Sequence, residues 1–171
     1  TPDASTFWRI IEEYKVKVMF TAPTAIRAIK KEDPNGEFLK QYDLSNLKYQ
    51  FLAGERCDAA TLKWTEDKLK VPVIDHWWQT ESGWPMLANM AGVELATVKP
   101  GSATFPVCGY DIQIMSEDGE IVPNGKEGYV VVKLPLPPGN LKNIWGNPER
   151  FVAGYLSRFP GYYFSGDGGY K

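Results

Sequence analysis

The sequence predicts an α/β fold: part of a parallel α/β subdomain over residues 1–98, followed by a β-rich, barrel-like subdomain over residues 99–171. Three observations predict it. Short apolar runs at residues 15–20, 49–53 and 71–75 alternate with stretches of helical periodicity, and strand–helix–strand repetition is the pattern of a parallel sheet. After Lys99 the texture changes to period-two alternation interrupted by Gly- and Pro-containing turns, which marks short antiparallel strands. The chain has 171 residues, 43% hydrophobic and 23% charged, an ordinary globular balance long enough to bury a core.

The elements follow in order. Pro2-Asp3 caps a first helix, along which Phe7, Ile10, Ile11 and Tyr14 recur at i, i+3, i+4 and i+7. Val16, Val18 and Phe20 alternate, so residues 15–20 read as a strand. Thr21-Ala22-Pro23 turns into a second helix with proline near its first position, where no N–H is needed. Asp33-Pro34-Asn35-Gly36 ends that helix. Residues 49–53 form the next strand, closed by Gly54, and Asp58 N-caps a helix running to about Lys70. Residues 71–75 are the following strand. In the second half Lys99-Pro100-Gly101 is a turn and residues 110–114 alternate. Glu117-Asp118-Gly119-Glu120 and Pro123-Asn124-Gly125 are turns, and residues 128–134 are a strong strand. Residues 134–139, with three prolines, make a rigid exit loop. Asn147 before Pro148 caps a helix to about Arg158, and Tyr162-Tyr163-Phe164 is the last strand.

Chemistry concentrates in Asp75-His76-Trp77-Trp78-Gln79-Thr80-Glu81-Ser82-Gly83, which follows a predicted strand. In open α/β sheets ligands bind beyond the carboxyl ends of strands. Two indole rings give flat apolar walls, the Thr80 hydroxyl can donate to a phosphate oxygen, and Glu81 can hold a Mg²⁺ that bridges phosphates. A nucleotide site and a Trp-rich core edge with a solvated Gln-Thr-Glu turn both fit these residues.

Composition excludes several classes. The formal net charge is −2 and no Lys/Arg run occurs, so a nucleic-acid surface is not expected. No apolar stretch reaches the ~18 residues that span a bilayer, and no secretory leader pattern is visible. Two cysteines and a single histidine do not make a structural zinc site; reduced thiols in a cytoplasmic protein are the expectation.

Trp77-Trp78-Gln79-Thr80-Glu81-Ser82-Gly83 resembles a signature of the adenylate-forming acyl-CoA synthetases, in their acetyl- and propionyl-CoA synthetase branch. Thr21-Ala22-Pro23-Thr24-Ala25-Ile26-Arg27, Ala53-Gly54-Glu55-Arg56 and Tyr163-Phe164-Ser165-Gly166-Asp167 agree with it in order. The resemblance implies a fold that is part of the large N-terminal domain of such an enzyme. The implied reaction joins ATP and a short carboxylate into an acyl-adenylate, after which the thiol of CoA displaces AMP. Thr80 matches the residue on the α-phosphate, and Glu81 the acid that helps hold Mg²⁺; these two are the expected catalytic residues. Gly54, Glu55 and Arg56, with Asp75, His76, Trp77, Trp78 and Gln79, match the run around the nucleotide, and Asp167 matches the acceptor for both ribose hydroxyls. Trp78 matches the family ring that closes the acyl pocket, with Ala53 opposite, and Ala22 lies in the run that in the family flanks the CoA channel. His76 is expected to be a wall of the site or a surface residue rather than a base, since the substrate acid is already ionised.

Neither a Ser/Thr/Gly-rich phosphate loop ending in Lys nor the family's C-terminal Lys is present. The chain therefore reads as an internal piece of a longer polypeptide, inactive by itself, with small-molecule partners only: ATP, CoA and a short acid, propionate favoured and acetate possible. Two other readings stay open, an adenylation domain of another branch that loads a carrier thiol and a non-enzymatic nucleotide-binding module.

Overall fold

The computed structural model describes residues 3–171. The chain divides into two compact units, one made of Thr1–Trp77 with Leu87–Phe105, the other of Trp78–Met86 with Pro106–Lys171. The expected participation of Pro2 in a helix cap lies outside the described residues.

The first unit is built on strands β1 (Val18–Thr21), β2 (Tyr49–Leu52) and β3 (Val73–Asp75), parallel and in the order β1-β2-β3. Helix α1 (Thr6–Glu13) precedes β1, α2 (Pro23–Glu32) joins β1 to β2, and α3 (Ala59–Leu69) joins β2 to β3. Both crossovers step in one direction across the sheet, and right-handed connections then lay α2 and α3 on the same face. The register Met19↔Gln50↔Val73 and Thr21↔Leu52↔Asp75 identifies that face. On it, Leu52 and Val73 pack with Ile26 of α2 and Leu62 of α3. On the opposite face Val18 is 51% and Phe20 55% exposed.

Local signals explain the helix ends. Pro23 opens α2. Asp58 caps α3, its carboxylate accepting the Thr61 N–H at 2.8 Å, and Lys70 closes it in the left-handed region at φ 57°, where glycine is more usual.

Helix α1 differs from expectation in cap and phase. Its N-cap is Ser5, and the Asp3 carboxylate instead accepts the Ser5 N–H at 2.9 Å, a turn just ahead of the helix. Trp8 and Ile11 are the buried residues, whereas Ile10 is 38% and Tyr14 70% exposed. The stripe Ala4, Trp8, Ile11 enters the cluster with Ile29, Leu47 and Leu69. Burying the large indole rotates the helix by about one residue from the expected face, and the helix ends before Tyr14.

Two-residue strands β4 (Leu87–Ala88) and β5 (Phe105–Pro106) follow. The second unit carries an antiparallel sheet of β6 (Ile112–Met115), β7 (Gly128–Lys133) and β8 (Tyr162–Gly169), in the order β6-β7-β8, with helix α4 (Pro148–Tyr155) between β7 and β8. Asn147 caps α4 by accepting the Arg150 N–H at 3.0 Å. Met115, Val131 and Phe159 form the core here, with Tyr129, Tyr162 and Phe164 against them.

Strand β8 runs five residues beyond the expected end at Phe164. Val131 pairs with Phe164 and Tyr129 with Gly168, so Ser165, Gly166 and Asp167 stand opposite the single residue Val130. This is a β-bulge, a device that re-aims side chains. Past it, Gly169 pairs with Gly128. A Cβ on Gly128 would lie 2.6 Å from the Met115 carbonyl oxygen, so the tight approach requires glycine. Gly166, Asp167 and Gly168 are exposed, and the strand continues through them to Gly169.

Among the described residues no helix is long and apolar enough to cross a membrane. Cys57 is buried and Cys108 exposed.

Candidate functional site

In the first unit, candidate residues collect at the carboxyl ends of the parallel strands. Ala22, half-buried, follows β1 and is the N-cap of α2. Ala53 is buried after β2, its N–H donating to the Thr21 carbonyl at 3.3 Å. Gly54 has φ +100° and open space where a Cβ would stand; backbone conformation rather than crowding selects glycine there. Glu55 accepts from the Thr24 hydroxyl and pairs with Arg27 at 2.7 Å, while Arg27 also reaches Asp58 at 3.3 Å. The Thr24 hydrogen bond, then Arg27, holds the Glu55 carboxyl below the usual range. Arg56 is exposed, with its guanidinium against Gly101, where an added Cβ would meet it at 2.9 Å.

The end of β3 is tied to this loop. Asp75, buried, accepts the Cys57 N–H at 3.2 Å. Burial pushes its pKa up to about 6, against the Cys57 N–H and the Arg56 charge that favour ionisation. His76 is buried rather than on the surface, its ring edge-on to Phe20 at 5.2 Å and to Phe51 at 5.6 Å. Burial lowers its pKa, so it is neutral at pH 7, and its Nδ1 has no partner among the described residues. Trp77 bridges to Leu87 through paired backbone hydrogen bonds of 2.9 and 3.2 Å. Burial, then Asp75, raises the Cys57 thiol to about 11, which leaves it protonated and unreactive.

The second unit carries Trp78, Gln79, Thr80, Glu81 and Asp167. Trp78 is 38% exposed. Residues 79–82 form a turn held by Ser82: its N–H donates to the Gln79 carbonyl at 3.0 Å, and its hydroxyl to the same carbonyl at 2.7 Å. Thr80 and Glu81 occupy the tip. The Thr80 side chain is exposed.

Behind the tip lies a polar network whose members sequence reading does not assign. The Tyr155 hydroxyl donates to Glu81 Oε1 at 2.7 Å, and the Leu141 N–H to the Glu81 carbonyl at 2.7 Å. The Tyr163 hydroxyl donates to Gln79 Oε1 at 2.8 Å. Gln79 Nε2 in turn donates to the Ser165 carbonyl at 2.8 Å and to Asp167 Oδ2 at 2.9 Å. The structure thus joins Gln79 and Asp167, two candidates 88 positions apart. The hydrogen bond to Glu81 raises the Tyr155 pKa, and burial raises that of Tyr163, so both phenols remain donors at pH 7. No spacing rule connects residues 74 and 84 positions apart; the only sequence signal is the density of tyrosines near Asp167.

Among the described residues no group of three or more His, Cys, Asp or Glu could enclose a metal ion. A single carboxylate does suit Mg²⁺, which takes one or two carboxylates, with substrate phosphates and water completing the shell. Glu81, with one oxygen held by Tyr155, is the residue that fits.

The profile of the AMP-binding enzymes matches residues 1–141. The chain is 46% identical over 99% of its length to acyl-CoA synthetase short-chain family member 3, mitochondrial, of Homo sapiens, covering 25% of that protein. It is 45% identical over 92% of its length to the propionate–CoA ligase of Escherichia coli, again covering 25%. Among solved structures it resembles the anthranilate CoA ligase AuaEII in complex with anthranoyl-AMP, with a TM-score of 0.78 and 25% identity over 96% of this chain and 29% of that one. The chain spans about a quarter of the length of the relatives it matches. The expected fold class, a parallel α/β portion followed by antiparallel strands within an adenylate-forming framework, is borne out.

Proposed function

This chain belongs to the AMP-binding enzyme family, and from that premise we propose that the protein carrying it is an AMP-forming acid–thiol ligase, which activates a short carboxylate with ATP and passes the acyl group to CoA. The observation that carries the reading is the match to an acyl-CoA synthetase and a propionate–CoA ligase over nearly all of this chain. Adenylation brings a carboxylate oxygen onto the α-phosphorus of an anionic nucleotide, so catalysis rests on positioning and charge neutralisation. Thr80 serves the α-phosphate with its exposed hydroxyl. Glu81, steadied by Tyr155, holds Mg²⁺, which neutralises phosphate charge when bound. Asp167 accepts the ribose hydroxyls, and Gly54, Glu55, Arg56, Asp75, His76 and Trp77 serve the adenine. Trp78 and Ala53 are assigned to the acyl group and Ala22 to CoA.

Propionate is the favoured acid. The relatives include a propionate–CoA ligase, and Ala53 is small enough to admit more than a methyl group. The buried, protonated thiol of Cys57 fits a reducing compartment, the cytoplasm. With no phosphate loop in its sequence, the 171-residue chain alone is inactive. The test is acid-dependent ATP–pyrophosphate exchange by the full-length protein across C2 to C8 acids. Exchange peaking at C3 supports the reading, and exchange independent of any short acid overturns it.

A further inference from the structure

Gln79 has an amide whose three hydrogen bonds leave one orientation. Its Nε2 faces two acceptors, the Ser165 carbonyl and Asp167 Oδ2, and its Oε1 faces the Tyr163 hydroxyl. A flipped amide would set oxygen against oxygen at Asp167. The Tyr163 hydroxyl is therefore the donor in its contact, since an amide oxygen only accepts, and buried Tyr163 is fixed in turn by its stack on Tyr155. The recipient, Asp167, is exposed and stands on the bulge of β8, where the ladder does not hold it. Its N–H also donates to the Ser165 hydroxyl at 3.1 Å.

We infer that Tyr163 and Gln79 are positioning residues that hold the Asp167 carboxylate in the orientation that accepts a vicinal diol, and so set the preference for ribo- over deoxyribonucleotides. The inference rests on the assignment of Asp167 to the ribose. Each carboxylate oxygen has two lone-pair sites, so the bond from Gln79 leaves room for both sugar hydroxyls. Fixing the carboxylate in advance removes the entropic cost of ordering it at binding.

The test measures binding of AMP, 2′-deoxy-AMP and GMP to the full-length protein by calorimetry, in wild type, Asp167→Asn, Tyr163→Phe and Gln79→Met. Phenylalanine keeps the ring and the stack and removes only the donor. The expected result is a ratio of AMP to 2′-deoxy-AMP affinity that falls roughly three- to tenfold in Tyr163→Phe and Gln79→Met, the size of one hydrogen bond, with the AMP to GMP ratio unchanged. Should Tyr163→Phe fail to fold, Gln79→Met alone decides. If Asp167→Asn loses sugar discrimination while the other two variants keep it, the positioning role is overturned and the ribose assignment survives. If Asp167→Asn keeps it, the ribose assignment falls and the inference with it. Equal losses of sugar and base discrimination in Tyr163→Phe and Gln79→Met also overturn the inference, because a general loosening of structure would do that.

Discussion

Tyr155 and Tyr163 stack with ring centroids 5.5 Å apart and planes 6° from parallel, and each phenol donates to a different residue of the turn at 79–82. Tyr155 serves Glu81 and Tyr163 serves Gln79. One aromatic pair thereby orients a carboxylate proposed for Mg²⁺ and an amide proposed to orient another carboxylate. Such parallel-offset pairs contribute about 0.5–1.5 kcal/mol beyond burial.

Removing only the Tyr155 hydroxyl tests the first branch. Tyr155→Phe in the full-length protein should raise the Mg²⁺ concentration needed for half-maximal pyrophosphate exchange by roughly three- to tenfold, the loss of one hydrogen bond to a half-exposed carboxylate. The melting temperature should fall by only a few degrees. Unaltered Mn²⁺ binding in the variant, followed by electron paramagnetic resonance, would count against the role.

Thr80→Ala and Glu81→Gln should depress adenylation far more than nucleotide binding, because their proposed partners matter most as charge redistributes in the transition state. The expected pattern is a fall in exchange rate of at least about tenfold, roughly 1.4 kcal/mol, with the Michaelis constant for ATP within about threefold. Near wild-type exchange in both variants would remove them from the catalytic set.

Trp78→Gly should broaden the acid profile toward longer chains. One methylene transfers into an apolar pocket for about 0.8 kcal/mol, and such pockets discriminate roughly 10–200-fold, so acetate should remain a poorer substrate throughout. The measurement is kcat/KM for C2 to C8 acids. Superimposable profiles for wild type and variant would make Trp78 a packing residue only.

Asp75 makes a prediction about pH. Its folded pKa, raised to about 6, lies above the ~3.9 of an unfolded chain. The folded state therefore holds its proton more tightly, and the associated stability is full below pH ~4 and lost as pH rises through 6. Asp75→Asn keeps an acceptor for the Cys57 N–H and abolishes the titration. It should be more stable than wild type at pH 7 by about 1 kcal/mol after allowance for solvent screening, with the advantage gone near pH 4. Urea midpoints across that range decide it, and a constant difference would discard the burial argument.

Where local chemistry decides structure, the sequence is a good guide. Pro23 and Asp58 mark their helix starts, and the β-branched run before Asp75 marks a buried parallel strand, because caps and side-chain alternation act over a few residues. The phase of α1 is less legible. Its apolar residues cover more than one stripe, and only tertiary packing decides that Trp8 goes inward while Tyr14 does not. The end of β8 is obscured because Gly-Asp-Gly-Gly has turn composition, while its glycines answer to the positive φ of Gly166 and to Val130 of the neighbouring strand, whose side chain a Cβ on Gly169 would meet at 3.0 Å. Asp167 and Gln79 are individually visible as candidates. Their hydrogen bond and the two tyrosines behind it are not, since side-chain partners so distant in sequence leave no periodic trace.

The bulge opposite Val130 makes β8 behave as two short strands joined by a coupling. Tyr162, Tyr163 and Phe164 take their register from Lys133, Val132 and Val131, whereas Gly168 and Gly169 take theirs from Tyr129 and Gly128. A change of length within Ser165–Asp167 therefore need not propagate in either direction. Deleting Gly166 would turn the Asp167 carboxylate toward the other side of the sheet while Tyr163 stays in place, its hydroxyl still on Gln79. The sugar contact proposed for Asp167 and the integrity of the sheet can thus vary independently, so a change within this three-residue segment can alter the one without unfolding the other.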